Sequence, residues 1–125
     1  MLLDTDVLID ILRNHLPAIA WFEGLEEVPT ASGIAAMEII SGCRNRQELR
    51  AAELFLALFP IAWPTREDLE RALGTLLPRR LTNGIGLLDS IVAATALGID
   101  QELATFNVKH YSGVEGLRMV QPYKR

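Results

Sequence analysis

Cysteine is almost missing from this chain. Cys43 stands alone, so no intramolecular disulfide can form, and a reducing compartment, the cytoplasm, is expected. Aromatics are only 6% of the 125 residues while half are hydrophobic, which favours a helix-rich or α/β domain over an all-β sandwich. No apolar run is long enough to cross a bilayer. The longest, Ile85 to Ile99, is broken by Asp89 and falls short of the roughly 20 residues a spanning helix needs. No basic stretch precedes an apolar one before the charge at Asp4, so no signal peptide and no membrane association are expected. Lysine is scarce as well. Two lysines stand against ten arginines, and the net charge of −4 has the wrong sign for gripping nucleic acid by bulk charge. A local patch of Arg44, Arg46 and Arg50 stays compatible with phosphate, because guanidinium forks suit phosphate oxygens.

What is present fits one domain, residues 1–125. Met1-Leu2-Leu3 reads as a short buried strand, and Val7 to Leu12 as a helix that follows it directly. Pro17 at a first helical position opens a second helix running through Trp21 and Phe22 to Gly24. Val28 to Ala31 reads as a second strand, Ile34 to about Arg46 and Gln47 to Phe59 as two helices, and Ile61 to Trp63 as a third strand. Thr65 and Asp68 form a capping box for a helix to about Leu77. Pro78 to Gly86 reads as a loop, Leu87 to Leu97 as a helix, and Leu103–Phe106 and Gly116–Val120 as two last strands. Short apolar strands alternating with helices imply a parallel sheet covered on both faces.

Three carboxylates stand where a carboxylate is costly. Asp4 follows the apolar opening strand, Glu38 is the only charge in Ile34-Ala35-Ala36-Met37-Glu38-Ile39-Ile40, and Asp89 the only charge between Arg80 and Asp100. An unpaired buried carboxylate costs several kcal/mol, so each needs a partner or a cation. In open parallel sheets ligands bind beyond the carboxyl ends of the strands, at a switch in strand order. Asp4 falls on that rim, and Glu38 and Asp89 lie in helices entered from it. Hard oxygen ligands without a His or Cys cluster suit Mg²⁺ or Mn²⁺ better than zinc. The competing reading makes Asp4 and Asp89 helix N-caps and turns Glu38 outward beside Arg44.

The motifs resemble those of PIN-domain proteins, specifically VapC-type toxins. Met1-Leu2-Leu3-Asp4-Thr5-Asp6-Val7-Leu8-Ile9 is similar to that family's opening strand and first acid, and Ala36-Met37-Glu38-Ile39-Ile40-Ser41-Gly42 to its second acidic motif. Leu88-Asp89-Ser90-Ile91-Val92-Ala93-Ala94-Thr95-Ala96 resembles the third, and Thr105-Phe106-Asn107-Val108-Lys109-His110-Tyr111 the segment after the fourth strand. The resemblance implies a three-layer α/β/α sandwich with a short parallel central sheet. It also implies a Mg²⁺-dependent endoribonuclease, inhibited by a cognate antitoxin and homodimeric. Asp4, Glu38 and Asp89 would carry over as acidic site residues and metal ligands. The chain departs from the family in two places. Asp6 stands where many relatives have asparagine, and Asn107 and His110 stand where a fourth acid is usual, so Asn107 is the further candidate catalytic residue.

Among the remaining residues, Cys43 reads as a small core residue, Thr5 as structural or as a hydrogen-bonding group near the site, and His15 and His110 lack a serine or cysteine partner for a triad. Trp21-Phe22 and Leu54 to Phe59 are the candidate dimer surface. Two other functions remain open. Asp4-Thr5-Asp6-Val7-Leu8 also resembles the nucleophile motif of haloacid-dehalogenase-type phosphatases, with Asp4 as nucleophile and Lys109 as the only lysine for the site. The other is a non-catalytic PIN-like domain that binds RNA or protein.

Overall fold

A computed structural model describes residues 1–125. Its five strands are all parallel: β1 (Leu2–Leu3), β2 (Thr30–Ser32), β3 (Ile61–Ala62), β4 (Leu103–Ala104) and β5 (Met119–Val120), in the order β3-β2-β1-β4-β5. Adjacent residues of a strand face opposite sides. Leu2 and Leu103 accordingly join one core cluster, and Leu3, Ala31 and Ala104 the other. The second cluster is closed by α1 (Thr5–Leu12), α2 (Leu16–Glu23), α3 (Gly33–Ser41) and α4 (Arg46–Leu56). The first is closed by α7 (Leu87–Gly98), by α8 (Val108–Tyr111), and by the turn that follows α5 (Arg66–Arg71). The result is the three-layer α/β/α sandwich with a parallel central sheet. No helix is long and apolar enough to cross a membrane.

Several boundaries differ from the sequence reading. Pro78 to Gly86 is not a loop. After α5 the chain continues through a π-turn (Ala72–Leu76), a 3₁₀ turn (Leu77–Arg79) and α6 (Arg80–Asn83). Pro78 sits near the start of its turn, where a missing N–H costs nothing, and Gly84 ends α6 at φ 76°, the left-handed stop that glycine favours. The helix opened at Gly33 stops at Ser41 rather than near Arg46, because the chain turns at Gly42 and Asn45 then caps α4 anew. α4 itself ends at Leu56, short of Phe59, which turns into the core. Pro17 occupies the second position of α2, not the first. Trp63, Phe106 and Gly116 lie outside the strands, and β2 begins at Thr30 rather than Val28. Thr65 and Asp68 form the expected reciprocal capping box.

Strand order reverses at β1: β2 and β3 lie to one side of it, β4 and β5 to the other. A crevice therefore opens at the carboxyl ends of β1 and β4, which is where Asp4 and Thr105 emerge.

Candidate active site

Asp4 follows β1 directly and caps α1, its Oδ1 accepting the Thr5 backbone N–H at 2.8 Å. It is both a cap and a buried carboxylate, 5% exposed. Its Oδ2 accepts from Thr105 Oγ1 at 2.9 Å and from the Tyr111 hydroxyl at 3.1 Å. Burial first, then the neighbouring Asp6 charge, pushes its pKa up to about 6 against the pull of these three donors.

Asp89 is not an N-cap. Gly86 holds that position, and Asp89 lies in the first turn of α7, where the helix dipole favours a negative charge. Its Oδ1 lies 3.3 Å from the Tyr111 hydroxyl, and its Oδ2 accepts from Asn107 Nδ2 at 3.3 Å. His110 Nδ1 stands 3.8 Å from that same oxygen. Asn107 and His110 therefore both attend Asp89, in the segment where the fourth acid was expected.

Glu38 is not paired with Arg44. Its Oε1 accepts from Thr5 Oγ1 at 2.9 Å, so the threonine next to Asp4 ties Glu38 to the crevice. Arg44 is paired instead with Glu48 at 3.0 Å. A cleft of about 550 Å³ opens beside Glu38, with Arg13, Cys43 and Arg44 among its walls. Asp6 accepts the backbone N–H groups of Val7 and Phe106 at 2.8 and 2.9 Å, and burial raises its carboxyl above the usual range.

Four carboxylates thus line one rim, and no ion pair involves Asp4, Asp6 or Glu38. As the side chains lie, no three His, Cys, Asp or Glu groups surround a common point. Asp4 and Asp89 share the Tyr111 hydroxyl, while Glu38 is linked to Asp4 only through Thr5, by two hydrogen bonds. Two carboxylates still suit Mg²⁺, a hard cation that keeps several of its waters and binds through one or two carboxylates plus substrate phosphates.

The sequence reading missed Tyr111 and Thr105. Both are fully buried, with their hydroxyls on Asp4. Burial pushes the Tyr111 phenol far above its ordinary range, and the Asp4 and Asp89 charges add to the effect. The available signal was a pair of hydroxyl residues six positions apart, directly after the strand that pairs with β1. The expected dimer surface is only partly exposed. Trp21 packs on Tyr123 and Phe22 on Phe59, whereas Leu54 and Leu58 face outward. Arg46 and Arg50 are exposed at the start of α4.

Comparison with known proteins agrees with this geometry. The family model described as "PIN domain" matches residues 1–113. The chain is 38% identical over 122 residues to ribonuclease VapC10 of Mycobacterium tuberculosis, covering 94% of this chain and 90% of that protein. It is 34% identical over 117 residues to ribonuclease VapC19 of the same organism, with 88% and 90% covered. A toxin–antitoxin complex from Klebsiella pneumoniae contains a chain that superposes with a TM-score of 0.79 at 28% identity, covering 99% of this chain and 98% of that one.

Proposed function

The chain belongs to the PIN domain family, and from that footing we propose that it is a Mg²⁺- or Mn²⁺-dependent endoribonuclease, the toxin of a toxin–antitoxin pair. The observation that carries this reading is the joining of Asp4 and Asp89 by one buried hydroxyl at the strand-order switch, with no lysine or arginine paired to either. The ribonuclease names of its relatives and the toxin–antitoxin complex that shares its fold support it.

Asp4 and Asp89 would hold a divalent cation, which would supply Lewis acidity to a bound water and to the phosphate. The chain's own contribution is placement. Thr5, Thr105 and Tyr111 fix the Asp4 carboxylate, while Asn107 holds Asp89. Glu38, whose Oε1 accepts from Thr5 Oγ1, would position the attacking water. His110, half exposed beside Asp89, would contact an incoming phosphate.

Purified protein should cleave single-stranded RNA with Mg²⁺ and lose that activity in EDTA. Asp4→Asn or Asp89→Asn should each lower cleavage by at least ~100-fold, because metal affinity and ligand orientation are lost together. Undiminished cleavage in either variant sinks the mechanism. Tight RNA binding without cleavage by the wild type would favour the non-catalytic reading. The phosphatase reading has less support, since Lys109 is exposed and joins no hydrogen bond or ion pair of the site. We further propose a cytoplasmic location, a cognate antitoxin as inhibitor, and a homodimer. Co-expression with the antitoxin should relieve growth inhibition and yield a co-purifying complex.

A further inference from the structure

Tyr111, through its hydroxyl, is the one group that touches both candidate ligands, and the proposed chemistry gives it no role beyond holding Asp4. Its ring is fully buried in the core cluster beneath α7, and its hydroxyl stands 3.1 Å from Asp4 Oδ2 and 3.3 Å from Asp89 Oδ1. A phenol has one hydrogen to donate, so these two oxygens compete for it. The shorter contact is to Asp4. A carboxylate has about four acceptor positions, two on each oxygen. At Asp4, Thr105 and Tyr111 take both positions on Oδ2, and the Thr5 N–H takes one on Oδ1. One position is left, on Oδ1. At Asp89, a hydroxyl that donates to Asp4 leaves Oδ1 without a donor, while Asn107 holds Oδ2.

We propose that Tyr111 is a positioning residue that assigns the ligand atoms: by committing Asp4 Oδ2, it leaves Oδ1 of Asp4 and Oδ1 of Asp89 for the divalent cation. The proposal rests on these two carboxylates being the cation ligands. It differs from a purely structural role for the ring, because Phe fills nearly the same volume and lacks only the donor.

The test is Mn²⁺ affinity measured by electron paramagnetic resonance on the full chain, independent of RNA. Tyr111→Phe should weaken Mn²⁺ binding by ~10- to 100-fold, the usual loss when a hydrogen bond that orients a ligand is removed. Its circular dichroism should match wild type, which separates the lost donor from a lost fold. Equal or tighter Mn²⁺ binding in the variant overturns the proposal, since the hydroxyl would then only relieve repulsion between the carboxylates. A wild type that binds no Mn²⁺ overturns the cation reading itself, and the proposal with it. Should Tyr111→Phe fail to fold, the wild type labelled at tyrosine ¹³Cζ decides. Of its two tyrosine resonances, the one that survives Tyr123→Phe should shift on titration with Mg²⁺. A resonance that stays in place counts against the role of Tyr111.

Discussion

Asp4 sits at the carboxyl end of the central strand, and its protonation links the site to stability. Its folded-state pKa of about 6 lies above the ordinary 3.8, so the folded chain holds this proton more tightly than the unfolded one. The stabilisation is fully present below about pH 4 and is lost as pH rises through 6. A gap of about two units corresponds to ~3 kcal/mol. In EDTA, Asp4→Asn should therefore melt several degrees above wild type at pH 7, the difference vanishing toward pH 4, because ~1 kcal/mol moves a domain of this size by roughly 3–6 °C. Differential scanning calorimetry across that range checks it, and a variant that melts lower at pH 7 contradicts it. Protons compete with the cation for the same carboxylate, so half-maximal activity should require more Mg²⁺ at pH 5.5 than at pH 7.5.

At the scale of the element, α5 and α7 meet at a small-residue contact. Thr65 and Asp68 cap the start of α5 reciprocally, and Asp68 is 4% exposed. Gly98, the last residue of α7, lies against the Asp68 carboxylate so closely that a Cβ there would collide with it. Gly98→Ala should displace the cap and cost about 1–3 kcal/mol, the usual penalty for overpacking, read as a lower melting temperature. Gly98 lies nine residues along α7 from Asp89, ~13 Å at 1.5 Å per residue, so Mn²⁺ affinity of the folded variant should be unchanged. A comparable loss of affinity would mean that strain at this end of α7 reaches the site. Gly33 shows the same logic at the other helix that borders the crevice. A Cβ there would collide with the Trp63 ring, so glycine lets Trp63 cover the start of α3.

Across the whole molecule, the last residues close over the first helix. Tyr123 donates to Asp10 at 2.8 Å, Arg125 pairs with Asp10 at 3.0 Å, and the Arg125 guanidinium lies 4.9 Å from the Phe106 ring centroid. Phe106 in turn gives its backbone N–H to Asp6, so the tail supports the loop that follows β4. Burial works to raise the Asp10 carboxyl, but Arg125 and Tyr123 outweigh it and hold the group below its usual range. A depressed carboxyl contributes stability above its unfolded pKa and loses it as pH falls through the folded value. Arg125→Ala should thus lower stability by ~1 kcal/mol at pH 7. That deficit should fade below pH 4 as Asp10 protonates, measured by urea denaturation at both pH values. An equal deficit at pH 3 would assign the effect to the Phe106 contact instead.

The sequence by itself determined the parts that are local. Leu2-Leu3 followed at once by a costly acid located the central strand and Asp4, because burial on both faces of a parallel strand shows as an uninterrupted apolar run. Asp89 and Glu38 were legible as lone charges on apolar helices, and the Thr65–Asp68 box because capping spans only four residues. The segment from Pro78 to Gly86 was misread, since proline and glycine end helices and begin them alike. Tertiary structure alone decided which groups meet. Tyr111 reaches Asp4 across 107 residues because β4 pairs with β1, and strand order is fixed by packing between elements that no local period records. The same pairing sets Thr105 on Asp4, and α1 against α3 sets Glu38 on Thr5. Nothing local marks Tyr111 as core, set as it is among Asn107, Lys109, His110 and Ser112; only the tertiary structure buries its ring in the core and brings its hydroxyl to Asp4.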